Sequence, residues 1–280
     1  MNSRSSVLAE YLRARRSQLD PASFGLHDDG RRVPGLRREE LASLAGISRE
    51  YYIRLEQGQN HQISHQVLNS LAEALCLDPL ERSYFYRIAR PGFAPTAPRR
   101  EPTPVSNAVL SLLDTWSDVP AFVEDSNLDV VAINEVADVL IPSVELFDGN
   151  LALAAFAKVD EERIHDIARR AVAALRYHGD PDNLRFQQVV GELSMTSAVF
   201  RRLWAQHDAR PMSQGTILLV VGDDELVEFP WQVLEVPGGF FMTVWPVAKG
   251  TRAFEVLSDI RENALTGRPI RGPLRGWPAR

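Results

Sequence analysis

Apolar positions recur every three to four residues through most of the chain and give way to alternation in only a few stretches. In the first ninety residues the helical period predicts five short helices, over residues 4–19, 37–45, 49–57, 64–75 and 79–89, and no strand. Their start signals are explicit. Ser48 and Ser64 stand where a side-chain oxygen can cap the third and fourth helices, and Asp78-Pro79-Leu80-Glu81 supplies a cap, a proline at the first helical position and a glutamate at the third. Gly46 and Gly58 fall where the chain must turn. Residues 91–104 then hold five prolines and a glycine, which reads as an extended linker.

Beyond the linker the period changes. Residues 121–124 and 129–133 read as two strands around the polar turn Asp125-Ser126-Asn127. Helical periodicity covers 135–140, 151–157, 161–177, 184–193 and 198–206, three β-rich segments follow at 216–221, 226–236 and 240–247, and a last helix spans 253–263. This order predicts an α+β domain, one antiparallel sheet with helices on one side, after an all-α domain. The domains are set at 1–91 and 105–265, joined by a linker at 92–104 and followed by a Gly, Pro and Arg-rich tail at 266–280.

Composition narrows the function. With 45% apolar residues in 280 the chain can build real cores. No apolar run approaches the roughly 18 residues a membrane span requires, and no secretory pattern follows Met1, so a cytoplasmic protein is expected. A single thiol, Cys76, allows no internal disulfide and reads as a small core residue. The net charge of −6 conceals an asymmetry: residues 1–100 carry 15 arginines and 11 acids, net +4, and the remainder is −10. Only Lys158 and Lys249 are lysines. Arginine's planar fork suits phosphate and guanine, although a GC-rich genome gives the same bias.

The passage from Leu36 to Gly58 carries the sharpest chemistry. Ala42 is small where two helices cross, Gly46 makes the turn, and Leu41, Ala45, Ile47, Tyr52 and Leu55 form an inner seam. The rest of the second helix, Arg49, Glu50, Tyr51, Ile53 and Arg54 behind the cap Ser48, cannot all be core. Set in a major groove, Arg49 and Arg54 can reach guanine O6 and N7, Glu50 can accept from cytosine N4, and Tyr51 or Ile53 can touch a thymine methyl or a sugar. Arg37 and Arg38, at the start of the preceding helix, are the phosphate-positioning candidates.

These residues resemble the helix-turn-helix of the lambda-repressor-like, or Xre-type, regulators. The resemblance implies a five-helix reader of double-stranded DNA that works as a homodimer on two half-sites. Tyr52 departs from the usual β-branched residue, but Arg31-Arg32-Val33-Pro34-Gly35-Leu36-Arg37-Arg38-Glu39-Glu40, Tyr51-Tyr52 and Arg54-Leu55-Glu56 are similar to the MmyB-like transcriptional regulators. That family implies a structural ion pair from Glu56 to an earlier arginine, here Arg31 or Arg32. The similarity extends through Pro120-Ala121-Phe122-Val123, Leu128-Asp129-Val130-Val131-Ala132-Ile133-Asn134, Val190-Gly191-Glu192-Leu193-Ser194 and Leu203-Trp204-Ala205-Gln206-His207-Asp208 to the family's PAS-like ligand-binding domain, which implies a small apolar ligand such as a fatty acid. Ile133 in place of a tryptophan, and Met212-Ser213-Gln214-Gly215 in place of a His-Pro-x-x-Gly segment, depart from that pattern.

Enzyme signatures are missing: no GxGxxG after a strand, no phosphate loop, no GxSxG, no HExxH. His61 and His65 have metal-ligand spacing without a nearby acid or thiolate, so no metal, catalytic residue or cofactor is assigned. Phe122, Phe200, Trp204, Phe229, Phe241 and Trp245, with Val130, Ala132, Leu175, Leu218 and Val220, are the expected walls of a pocket, and equally of a packed core. Asn134, Arg176 and His207 are the candidate polar anchors for a carboxylated lipid; Arg176, ending a long helix, can instead lie in solvent and offset its dipole. Two readings remain: a ligand-responsive regulator, and a DNA-binding regulator whose second domain is a protein-interaction module without ligand.

Overall fold

A computed structural model describes residues 3–26, 35–59, 63–90, 104–116, 118–141, 147–157, 161–221 and 225–266. The linker proper, most of the tail, Arg31, Arg32 and His61 lie outside the described residues. Contacts divide the chain into two compact units, Met1–Arg99 with Arg202–Arg210, and Arg100–Arg201 with Pro211–Arg280.

The first unit is helical. Helices α1 (Ser3–Gln18), α2 (Arg38–Leu44), α3 (Arg49–Glu56), α4 (His65–Ala74) and α5 (Pro79–Ala89) fall where the period predicts them, and a short 3-10 turn at Pro21–Phe24 is added. The caps form as the sequence implies. Ser48 Oγ accepts from the Tyr51 amide at 3.1 Å, Ser64 Oγ from Val67 at 3.2 Å, and Asp78 Oδ1 from Leu80 and Glu81 at 2.9 Å each. The core joins Tyr11 and Leu12 of α1 to Leu41 and Ala42, Tyr52 and Leu55, Leu68 and Leu71, and Tyr84 and Phe85. Tyr11 meets Tyr84 edge-on at 5.3 Å and stacks on Phe85 at 6.1 Å. Gly46 takes φ +64° between α2 and α3. Gly35, at φ +82°, runs so close to the end of α1 that a Cβ would lie 2.5 Å from the Ser17 carbonyl oxygen. Cys76 is not a core residue: it ends α4 in a left-handed turn, φ 52°, and is exposed.

The second unit is built on a five-stranded, wholly antiparallel sheet in the order β2-β1-β5-β4-β3. Its strands are β1 (Ala121–Glu124), β2 (Val130–Ile133), β3 (Gln214–Val221), β4 (Glu225–Val236) and β5 (Phe240–Val244). Around them run α6 (Asn107–Thr115), α7 (Glu135–Leu140), α8 (Leu151–Phe156), α9 (Glu161–His178), α10 (Leu184–Thr196), α11 (Ala198–Trp204), which crosses into the first unit, and α12 (Arg252–Thr266).

Helix α6 was not predicted, and it corrects the one-sided sheet. Its Val109 and Leu113 pack on Ala121, Val123, Met242 and Val244, one face of β1 and β5. Because side chains alternate along a strand, Phe122, Glu124, Phe241 and Thr243 project from the opposite face, together with Phe229 and Trp231. On that face α9 meets β3, β4 and β5: Arg170 lies over the Trp231 ring at 5.7 Å and donates to the Gln214 carbonyl at 3.0 Å, and His178 meets Phe241 at 4.4 Å. Both faces of β1 are therefore buried. A buried asparagine closes the loop beyond it. Asn150, fully buried, donates to Asn127 O and Asp129 Oδ1 and accepts from the amides of Ala152 and Leu153.

Candidate functional site

In the first unit the seam between α2 and α3 is buried at Leu41, Ala42, Ala45, Tyr52 and Leu55, and Ile47 is partly covered. What remains on α3 is a polar ridge. Arg49, Glu50 and Arg54 are exposed, Tyr51 and Ile53 half-buried. The Arg54 guanidinium sits 5.8 Å above the Tyr51 ring, a cation-π contact that holds both side chains side by side on the surface. Arg49 reaches Glu39 only at 3.8 Å, with both side chains more than half exposed, so its guanidinium stays available to an external acceptor. The Ser48 hydroxyl is occupied as the helix cap. Arg37 caps α2 with an exposed side chain while its amide donates to Glu40 Oε2 at 2.6 Å.

Behind this ridge lies a buried carboxylate. Glu56, 4% exposed, accepts from Arg16 Nε at 2.7 Å through one oxygen and from Arg38 Nε at 2.5 Å through the other. Burial alone would raise its pKa, but the hydrogen bonds from Arg16 and Arg38 outweigh that effect and hold it below the ordinary carboxylate range. Arg16 also donates to the Leu36 carbonyl at 2.7 Å, tying α1 to the segment that enters α2. Among the described residues the partners of Glu56 are Arg16 and Arg38; Arg31 and Arg32, the partners the family resemblance implies, lie outside the described residues. Arg38 is consequently half structural: its Nε is spent on Glu56, while half of its side chain faces solvent, where a phosphate can be met. Arg16 was missed because forty residues separate it from Glu56.

The second unit brings together four of the predicted wall residues. Phe122, Phe229 and Trp245 are buried and Phe241 half-buried on the α9 face, with the rings of Phe229 and Trp245 5.8 Å apart. Leu175 is buried on α9 itself, and Val130 is half-buried opposite Glu124. Phe200 is buried against Phe156 of α8, ring to ring at 5.4 Å. Ala132 packs with the α6 face, and Leu218 is 43% exposed on the far side of β3, so neither belongs to the same surface. The side chain of Val220 is not among those described.

The expected anchors fare differently. Asn134 is fully used by the backbone: its oxygen accepts from Ala121 and Ala137, and its amide donates to the Trp116 and Val119 carbonyls, all within 3.1 Å. An amide with every donor and acceptor position filled has nothing left for a ligand. Arg176 is buried, not solvent-facing, but at 100° per residue it points away from the helix side that carries Arg170 and His178 to the sheet. Trp204 and His207 fall in the segment Arg202–Arg210, which clusters with the first unit.

One polar group on that face was not anticipated. Glu124, at the end of the apolar run of β1, is 1% exposed. Its Oε1 meets Thr243 Oγ1 at 3.3 Å, and among the described residues Oε2 has no hydrogen-bond partner. Burial pushes its pKa up to about 8, slightly opposed by the Thr243 hydrogen bond and reinforced by Asp125. The period-2 pattern of Phe122 and Glu124 was the available signal; an acid closing a short strand reads more naturally as the start of the turn.

Comparison with known proteins fits this division. No curated protein matches the chain. Residues 7–85 match the model of a helix-turn-helix domain, and residues 105–257 match that of the MmyB-like transcription regulator ligand binding domain. The second match spans more than half of the 280 residues and follows a reader helix whose polar ridge stands clear of the core, so the chain belongs to the MmyB-like transcription regulators.

Proposed function

We propose that this protein is a sequence-specific, ligand-responsive transcription regulator that binds double-stranded DNA as a homodimer and senses a small apolar molecule of the fatty-acid type in its second domain. The observation that carries the DNA half is the ridge of Arg49, Glu50, Tyr51 and Arg54 on a helix whose other side is buried. Arg49 and Arg54 read base edges, Arg37 and the exposed part of Arg38 take phosphates, and Ser48 fixes the start of the helix they depend on. A lone module with modest positive charge gains specificity by pairing two copies one helical turn apart. The aromatic face of Phe122, Phe229, Phe241 and Trp245 supports the sensor half. A ligand changes operator affinity by binding one arrangement of the two readers better than another. The reading requires no catalytic residue, metal or cofactor, and places the protein with its DNA in the cytoplasm. No described helix is long and apolar enough to cross a membrane.

The test is an electrophoretic assay against a selected operator. Arg49→Ala and Arg54→Ala are each expected to cost about 1–3 kcal/mol of specific binding and relax preference at one base pair, whereas Arg37→Ala weakens all sequences alike and lowers the salt slope by about 1. Unchanged sequence preference in both α3 variants would overturn the assignment.

A second reading has one observation in its favour. Leu218, Leu226 and Leu234 are each 40% or more exposed on the outer side of β3 and β4, a surface suited to a protein partner. In that reading the second domain is an interaction module and the aromatic face is only core. Native mass spectrometry separates the two: a bound lipid of a few hundred daltons supports the sensor, an empty domain the module.

A further inference from the structure

A carboxyl group fully withdrawn from water, with one oxygen left unpaired, is costly unless something outside the chain completes it. Glu124 is such a group. It projects from the α9 face of β1, directly across from Phe241 on β5 and diagonal to Thr243, with Phe122 two residues before it on the same side. The chain meets its other buried carboxylates with arginine, as at Glu56 and Glu81. Here it does not. Asp125 follows in sequence and is itself negative; β4 brings Glu235, opposite Phe241; α9 brings His178 against Phe241 and Arg170 over Trp231. Arg185 is occupied with Asp129 and Asp148. None of these donates to Glu124.

The pairing that does exist sets the direction of the missing bond. With the Thr243 hydroxyl as donor to Oε1, Oε1 serves as the carbonyl oxygen of a neutral carboxylic acid, and the proton on Oε2 is a donor with no acceptor among the described residues. We propose that Glu124 is the polar anchor of the ligand-binding face, donating its Oε2 proton to a carbonyl or carboxylate oxygen at the head of an otherwise apolar ligand. This rests on the second domain being a sensor of such molecules. With a carboxylate head the two acids share one proton in a charge-assisted O–H···O bond, the arrangement that lets two carboxyl groups sit side by side where two negative charges cannot. With an ester or other carbonyl head the bond is neutral and weaker. An amine head is disfavoured, since it needs Glu124 ionised in a site that opposes ionisation.

The experiment titrates the full-length protein, freed of co-purified lipid, with decanoic acid, methyl decanoate and decylamine by calorimetry between pH 6.5 and 9.5. Decanoate is ionised throughout, so its affinity reports the Glu124 proton. The wild type is expected to bind decanoate best, with affinity falling at least tenfold across that range. Glu124→Gln keeps a donor but no titrating proton, so it binds the acid with a flat pH profile. Glu124→Leu loses at least tenfold for the acid at pH 6.5, retains binding of the methyl ester within a few-fold, and melts at a higher temperature than the ligand-free wild type because the orphan donor is gone.

Glu124→Leu binding decanoate as tightly as the wild type, with the same pH profile, overturns the anchor while leaving the sensor intact. So does preferential binding of decylamine that Glu124→Leu abolishes. If the wild type binds none of the three probes, the sensor reading itself fails and the anchor fails with it.

Discussion

Glu56 and Glu124 are buried to nearly the same degree, at 4% and 1% exposure, and the two domains treat them in opposite ways. The DNA-reading domain surrounds Glu56 with Arg16 and Arg38, so the carboxylate stays charged and locks α1, α2 and α3 together. Among the described residues of the ligand-binding domain Glu124 meets a single threonine hydroxyl and no arginine, so burial favours the neutral carboxyl and Oε2 has no partner. A reader helix must present its side chains in a fixed frame, and a satisfied buried ion network fixes geometry more surely than it adds stability. A sensor needs the reverse, a polar group whose satisfaction depends on what is bound.

The largest effect comes from breaking the satisfied network. Arg16→Ala removes one of the two arginines that meet Glu56 among the described residues, and the donor to Leu36 O, leaving a buried charge less compensated. Breaking such a pair costs about 3–5 kcal/mol, toward the lower end here because Arg38 remains. Urea denaturation followed by circular dichroism of the helical domain measures it; a loss below 1 kcal/mol would mean that the network does not hold the three helices.

The pH dependence sharpens the comparison, because the two shifts have opposite signs. Glu56 is depressed below its ordinary value of 4.5, so its contribution is full above that pH and is lost as pH falls through the folded value. Glu124 is raised from 4.5 to about 8, so its contribution is full below 4.5 and is lost as pH climbs from there to about 8, with a slope of at most ~1.4 kcal/mol per pH unit. Hydrogen exchange read segment by segment should show α1 to α3 loosening on acidification and β1 with β5 loosening on the way to pH 8. Parallel behaviour of both regions would contradict the assignment.

How far the comparison was visible beforehand depended on whether the signal was local. The five helices of the reader, their caps at Ser48, Ser64 and Asp78, and the turn at Gly46 were legible because periodicity and capping act within one or two turns. The strands followed for the same reason, and one antiparallel sheet from the order of the elements, but the order β2-β1-β5-β4-β3, with β1 beside β5, rests on pairing between distant residues. Helix α6 was overlooked beside its proline-rich approach, although Ser106 caps it, and with it went the second covered face of the sheet. The pairing of Glu56 with Arg16, the saturation of Asn134, and the association of Trp204 and His207 with the first unit rest on contacts between distant residues, which spacing does not encode. Gly35 belongs to both classes: a glycine is an evident turn signal, but its need for close approach to Ser17 O is tertiary.

The smallest effect tests whether burial or the number of partners decides the fate of a carboxylate. Glu81, whose side chain is 5% exposed, is paired twice, with Arg15 at 2.8 Å and with Arg210 at 3.0 Å, and its second oxygen accepts from the Asp78 amide at 3.0 Å. Arg210 also reaches Asp78 at 2.7 Å and Asp208 at 3.5 Å, but its own side chain is 45% exposed, so solvent screens these ion pairs. Arg15, at 18%, is the drier partner and suffices to compensate Glu81. Arg210→Ala is therefore expected to lower the stability of the first unit by about 0.2–1 kcal/mol, the range of exposed pairs, against about 3 kcal/mol for Arg16→Ala. Chemical denaturation of the two variants side by side makes the comparison. An equal loss in both would show that Glu81 depends on its exposed partner, and that a buried carboxylate in this domain needs every arginine it touches.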